Sequence, residues 1–282
     1  MSARLSTLKR QTVQRRLLQR APRLWAMSRT RTLETGAATV VIVNWNGAIF
    51  LPFVLRTVLA MSPATTRVIV VDNGSSDGSQ RCAETSDHRV KVVRLPVNVG
   101  HGTAMDLGFY KVRTEFAVSL DLDAFPLRDD WLDVLTAPLH GGVEVSGAHL
   151  RGGFVHPCCL AIRTRRFLDR DHSFVPKYVG RMARDVFDDT ADGWDAGHRI
   201  SLDEPERHLF EATTRRGPGD VGTVFGDQLV YHNFYSVRHA FETANPQTAV
   251  LDGEVAQQQA HDAWHEATQR YAGLLHGDAP GL

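Results

Sequence analysis

Two short runs limit the fold more than anything else in the chain. TVVIVNW at 39–45 and RVIVVD at 67–72 are continuous β-branched stretches without polar alternation. A strand with one wet face alternates; a strand covered on both faces does not, and two-sided cover is characteristic of parallel sheets. Between them, residues 47–61 (GAIFLPFVLRTVLAM) have helical spacing. VKVVRL (90–95) and EFAVSLDLD (115–123) read as a third and fourth strand, with HGTAMDLGFYKV (101–112) as the helix between them. NGSSDGS (73–79) reads as a turn that also supplies helix caps. DDWLDVLTAPL (129–139) is a helix capped by Asp129 or Asp130, and VEVSGAHL (143–150) is a fifth strand. Strands alternating with helices predict an α/β fold, a mostly parallel sheet sandwiched by helices and joined by right-handed crossovers.

The second half is less regular. HPCCLAIRTRRFL (156–168) reads as a strand running into a helix, and RDVFDDTADGWDAGHRI (184–200) as an acidic turn leading into one. TVFGDQLVYHNF (223–234) reads as strand and loop. Residues 251–275 form a polar helix with Val255, Trp264, Tyr271, Leu274 and Leu275 on one stripe. Such a stripe suits packing within the chain or a subunit contact, so a homodimer stays open.

Composition sets outer bounds. The chain has 282 residues, 43% hydrophobic and 23% charged, enough for one large domain with a substantial core. A formal net charge of zero argues against a nucleic-acid partner. Nine of the 32 basic residues and none of the 32 acidic ones fall in the first 31 positions, which leaves the remainder at −9. That basic N-terminus reads either as a mobile or docked extension or as an amphipathic helix on an anionic membrane surface; the pattern breaks at Pro22. Three cysteines, two of them adjacent, make neither a disulfide framework nor a C-x-x-C zinc pattern, and suit a reducing, cytoplasmic compartment. No apolar run reaches the ~18–20 residues of a membrane helix, and the N-terminus lacks the apolar core and cleavage site of a signal peptide.

In an open parallel sheet, ligands bind beyond the carboxyl ends of the strands. Polar residues stand at each predicted end: Asn44 and Asn46; Asp72 and Asn73; Asn98, Gly100 and His101; Asp121 and Asp123. Asp72 suits hydrogen bonds from a base or ribose, or a plain cap. Asp121 and Asp123, one residue apart after a buried strand, repel one another unless a cation lies between them. Hard Mg²⁺ or Mn²⁺ takes carboxylate and phosphate oxygens, and would bridge the pair to a diphosphate and stabilise it as a leaving group. The rival dinucleotide fingerprint fails: Gly100-His101-Gly102 is followed by Met105 where the third glycine belongs.

Four segments, VVIVNWNG (40–47), VIVVDNGSSDGS (68–79), NVGHGTAMDLG (98–108) and SLDLDAFPL (119–127), resemble in order and spacing the signatures of family-2-type nucleotide-sugar glycosyltransferases of the GT-A fold. The resemblance covers roughly residues 38–165, with weaker traces to about 240. It implies a GT-A, Rossmann-like sheet, base contact by Asp72, a nucleotide pocket lined by Asn98 and Gly100, and ribose and metal-diphosphate contact by Asp121 and Asp123. Asp106 stands where the family commonly has Asn, which alters pocket polarity. The catalytic base of an inverting transfer is a carboxylate that takes the acceptor's proton; Asp188 and Asp189 are the candidates, Asp189 favoured, with Asp185 behind them, and the alternative is a helix N-cap cluster. The resemblance further implies that His232 reaches the metal or diphosphate, with Arg238 able to grip phosphate. His156 is a weaker acceptor-site candidate.

These readings divide the chain into a basic extension (1–37), a transferase domain (38–240, nucleotide half 38–127, acceptor half 128–240) and a C-terminal helical segment (241–282). The expected function is metal-dependent inverting transfer of a sugar from a nucleoside diphosphate, UDP first, to a glycan, lipid-linked or small-molecule acceptor. The expected location is cytoplasmic, with a peripheral contact to the inner membrane face through the basic N-terminus. The alternatives are a sugar-phosphate nucleotidyltransferase, which wants an early Gly-rich loop with basic residues where this chain has none until Arg56, and a non-catalytic nucleotide-sugar-binding module.

Overall fold

A computed structural model describes residues 12–13, 16–17, 20, 22–149, 154–175, 196–214, 222–233 and 253–273. The first half follows the expected alternation: β1 (Glu34–Asn44), α1 (Leu51–Ala60), β2 (Arg67–Asp72), α2 (Ser79–Ser86), β3 (Val90–Arg94), α3 (His101–Phe109) and β4 (Thr114–Leu120). It continues through β5 (Ala124–Pro126), α4 (Trp131–His140), β6 (Val145–His149), β7 (Val155–Arg163) and α5 (Thr164–Asp169). After these come α6 (His198–Asp203), β8 (Arg207–Phe210), β9 (Ala212–Thr214), β10 (Thr223–Phe225), β11 (Val230–His232) and α7 (Gly253–Arg270).

Seven strands form one sheet in the order β3-β2-β1-β4-β7-β6-β8. β1 pairs in parallel with both β2 and β4, and β2 with β3. The β-branched runs sit at the centre for the reason the sequence gives. Alternate side chains leave opposite faces of a strand, and here both faces are covered. Val40, Ile42, Val68 and Val70 enter one core with α1 and α4; Val41, Val43, Ile69 and Val71 enter another with α3 and α5.

β7 runs antiparallel to β4, with Leu120 opposite Cys159. That reversal sets the start of β7 beside the carboxyl end of β4. A second sheet, β5-β11-β10-β9, is antiparallel throughout, and it pairs Ala124 with His232. The sequence reading had no second sheet, because its strands are three residues long and show no period. The turn read at 73–79 as supplying helix caps does lead into a helix, α2, which starts at Ser79.

α7 packs within the chain. Its Trp264 is 2% exposed, with its ring edge-on to Phe50 (4.9 Å), Phe53 (5.9 Å) and Phe125 (5.7 Å). Tyr271 stands edge-on to Phe125 at 5.7 Å. Trp264 and Tyr271 of the apolar stripe are therefore core; the Val255 side chain and Leu274 and Leu275 lie outside the described residues.

The described part of the basic N-terminus docks on the opposite side. Residues 22–29 are helical. The Trp25 indole N–H donates to the Leu168 carbonyl (2.8 Å), and the Ser28 hydroxyl to the Tyr110 carbonyl (2.8 Å). Val13, Leu17, Leu24 and Trp25 pack against the second core. These apolar side chains meet protein, and a helix lying on a membrane would need them free. Among the described residues, no helix is long and apolar enough to cross a membrane.

Candidate active site

The ends of β1 and β2 are tied by side chains. Asn44 and Asp72 are register partners, both buried, and the Asn44 amide donates to an Asp72 carboxylate oxygen (3.0 Å). The same amide lies near the hydroxyls of Ser79 (2.8 Å) and Ser75 (3.1 Å). Asn46, at φ 51°, accepts the Ser76 N–H (2.9 Å). Asp77, which the sequence reading passed over, accepts the N–H groups of Ala48 (2.8 Å) and Ser79 (3.0 Å). Burial alone would raise the Asp77 carboxyl; hydrogen bonds from Ser79 and Ala48 carry it below its ordinary value.

The loop after β3 is held in the same way. Asn73 accepts the Val99 N–H (2.8 Å), and its amide donates to Asn98 (3.1 Å). Asn98 in turn accepts the Gly100 N–H (2.9 Å). Gly74, at φ +78°, is pressed against the Val97–Asn98 backbone; an added Cβ would lie 2.5 Å from a carbonyl carbon. The asparagines expected to line a nucleotide pocket thus also brace the loops that would form it. An Asn or Ser in a strand-end loop signals such bracing as readily as ligand contact.

Asp121 and Asp123 flank a turn beyond β4. The Asp121 N–H donates to the Cys158 carbonyl (3.1 Å), and the Asp123 carbonyl accepts the Asn233 N–H (3.0 Å). These bonds fasten the pair to β7 on one side and β11 on the other. His232 is 3% exposed, and its Nε2 lies 3.2 Å from Asp123 Oδ1 and 3.4 Å from Asp121 Oδ2. His101, on the first turn of α3, stands 3.6 Å from Asp121. Burial raises the Asp121 carboxyl, but the His232 hydrogen bond and the nearby His101 bring it below its ordinary value. Burial lowers the His232 imidazole, but the neighbouring Cys158 and Asp123 and hydrogen bonds to Asp121 and Asp123 lift it well above its usual range. An imidazolium between the two carboxylates supplies the positive charge that their repulsion demands.

The donor set fits a hard divalent cation. Asp121, Asp123 and His232 each bring a ligand atom within 4.8 Å of the others, and two carboxylates with one imidazole suit Mn²⁺ or Mg²⁺. His156 and Cys158, on β7, adjoin this group, with the His156 and His232 rings 5.8 Å apart. Sequence reasoning missed Cys158 and left His101 without a role; the signal for both was adjacency to a strand end, one of them on a reversed strand.

Other sequence candidates fall elsewhere. Asp106 is fully buried and accepts the Ser173 hydroxyl (2.6 Å) and the Phe174 N–H (2.8 Å). It anchors the chain just ahead of residue 176, a task unrelated to pocket polarity. The Gly197 N–H donates to the Phe174 carbonyl (3.1 Å). Asp185, Asp188, Asp189 and Arg238 lie outside the described residues.

A family model for glycosyl transferase family 2 matches residues 39–155. Over these residues the chain is similar to family 2 glycosyl transferases. The match spans β1 to the start of β7 and so includes the Asp72 and Asp121–Asp123 ends. An uncharacterized glycosyltransferase of Nostoc sp. is 30% identical over 89 residues, 30% of this chain; the chain spans 27% of that relative's length. Among solved structures, a mannosyltransferase of Pyrobaculum calidifontis in complex with GDP-Man and Mn²⁺ aligns with 98% of this chain and 90% of its own (TM-score 0.50, 16% identity). TarS of S. aureus aligns with 82% of this chain and 43% of its own (TM-score 0.50, 16% identity). At these identities the two structures show a shared GT-A fold.

Proposed function

We propose that the protein transfers a sugar from a nucleoside diphosphate donor to an acceptor nucleophile, with inversion and with a divalent cation. The observation that carries this reading is the meeting of Asp121, Asp123 and His232 at the carboxyl edge of the sheet, in line with the braced loops after β1, β2 and β3. Asp72 and the Asn73–Asn98 loop would receive the nucleoside, and Asp121 the ribose. Asp123 and His232 would hold the cation, which when bound supplies charge neutralisation at the diphosphate leaving group. The low-dielectric floor around Asp123 strengthens such interactions by excluding water. Asp189 or Asp188 would accept the acceptor's proton, and Arg238 would grip phosphate. The acceptor is a glycan, a lipid-linked sugar or a small molecule.

The Pyrobaculum calidifontis protein, crystallised with GDP-Man and Mn²⁺, supports testing guanine beside uracil. Calorimetry with UDP, GDP and dTDP, in Mn²⁺ and in EDTA, on wild type and Asp123→Ala decides the matter. The expected result is binding of one nucleotide that needs the metal and disappears in the variant. Binding that ignores both EDTA and the substitution would overturn the metal bridge. Tight binding of a nucleoside triphosphate with pyrophosphate release would favour the nucleotidyltransferase. Metal-dependent binding without turnover on any acceptor would favour the binding module.

A further inference from the structure

His232 belongs to two different sets of donors. The first holds the Asp121 and Asp123 carboxylates. His232 also belongs to a second set, His156, Cys158 and His232, whose ligand atoms all lie within 4.8 Å of one another. Two strands from separate parts of the chain build this second set: His156 and Cys158 from the start of β7, His232 from the end of β11. Cys158 and His232 are buried, and His156 is half-buried.

The chemistry of the two sets differs. Carboxylates prefer hard Mg²⁺ or Mn²⁺, whereas a thiolate with two imidazoles prefers a soft or borderline ion, above all Zn²⁺. Zinc–ligand bonds of about 2.0–2.3 Å put tetrahedral ligands about 3.5 Å apart, so closure at the widest pair asks for little more than about 1 Å of side-chain movement. The His156 Nδ1 accepts the Cys158 N–H (3.1 Å), a bond that ligation through Nδ1 would replace. Three protein ligands leave a fourth position for water or an Asp121 oxygen.

We infer that His156, Cys158 and His232 form a second metal site, selective for Zn²⁺-like ions, which competes with the Asp121–Asp123 site for His232. A neutral imidazole has a lone pair on one nitrogen at a time, so His232 serves one ion or the other. Zinc binding withdraws His232 from the carboxylate pair and thereby antagonises the hard cation and its nucleotide. The binding half of the inference stands whether or not the chain transfers sugar; the antagonism rests on the proposed metal-dependent nucleotide site.

Cobalt(II) reports the site directly, because a thiolate ligand gives Co²⁺ an intense near-ultraviolet charge-transfer band. Full-length protein carrying Cys82→Ser, titrated with Co²⁺ without nucleotide, should develop that band at one equivalent and lose it to Zn²⁺. Cys158→Ser should abolish the band, His156→Ala should weaken Co²⁺ affinity by about tenfold or more, and Asp123→Ala should retain the band. Circular dichroism checks that each variant is folded, and His156→Ala keeps the test open should Cys158→Ser fail to fold. No band in wild type, or a band that survives Cys158→Ser, overturns the site. In a second arm, Mn²⁺ should raise the Zn²⁺ concentration needed for half-occupancy; Zn²⁺ affinity indifferent to Mn²⁺, in a protein that binds both, overturns the sharing of His232.

Discussion

Glu204 gives the most quantitative test of the scaffold around the proposed acceptor segment. It is fully buried at the end of α6 and ties that end to Arg166 of α5 and to His172. Its Oε1 lies 2.5 Å from the His172 Nε2 and 2.8 Å from the Arg166 Nε, and its Oε2 accepts from the Arg166 Nη2 at 2.8 Å. Burial raises the carboxyl, but the hydrogen bonds from His172 and Arg166 outweigh it and bring the pKa from 4.5 down to about 2. The folded value is depressed, so the stabilisation is fully present above about pH 4.5 and is lost as pH falls towards 2. At about 1.36 kcal/mol per unit, the shift is worth about 3 kcal/mol at pH 7, an upper figure because partly exposed Arg166 is screened by solvent. Urea unfolding of wild type and Glu204→Gln at pH 7 and pH 3 measures it. The expected gap is about 3 kcal/mol at pH 7, with about 2 kcal/mol of that gone at pH 3. A gap unchanged between the two pH values would refute the linkage, since a steric or packing cost does not titrate.

Three further outcomes follow from the packing and the anchors. Trp264→Ala should cost about 3–5 kcal/mol in unfolding free energy through the cavity left among Phe50, Phe53 and Phe125; a loss under about 1 kcal/mol would mean that α7 is dispensable. Gly147→Ala should destabilise β6 against β7, because the new Cβ would lie 2.2 Å from the Cys159 carbonyl oxygen; a melting temperature equal to wild type would contradict the register. Asp106→Ala should cost about 3–5 kcal/mol by stranding the Ser173 hydroxyl and Phe174 N–H, and Asp106→Asn less than half of that, because an amide still accepts one bond and donates another; equal losses in the two variants would show that the hydrogen bonds do not decide it.

The nucleotide half was legible because its physics is local. Buried parallel strands are written as unbroken β-branched runs, and the polar residues that end them fall at one edge by topology alone. Asp121, Asp123 and His232 were each nameable, but only the β5–β11 pairing brings His232 to the carboxylates, and a three-residue strand has no signature. Cys158 was invisible for a related reason: nothing in HPCC says that its strand runs backwards beside β4. Asp106 was misread because a buried carboxylate and a pocket carboxylate look alike until their partners are known. The stripe on α7 was correctly seen, but a stripe cannot say whether its partner is the same chain or another.

The pairing of β5 with β11 has a consequence for how the protein comes into being. His232 meets Asp123 across 109 positions of chain, so this contact closes a very long loop. Contacts of that separation form late, after the local helices and neighbouring strands have condensed. During synthesis the N-terminal half leaves the ribosome first, carrying Asp121 and Asp123 without His232 beside them. A growing or truncated chain therefore exposes an unbalanced acidic edge that could attract stray cations. When β11 docks, that edge gains the His232 imidazole beside His101, so the proposed metal-binding set is assembled only after β11 has been made and has paired with β5.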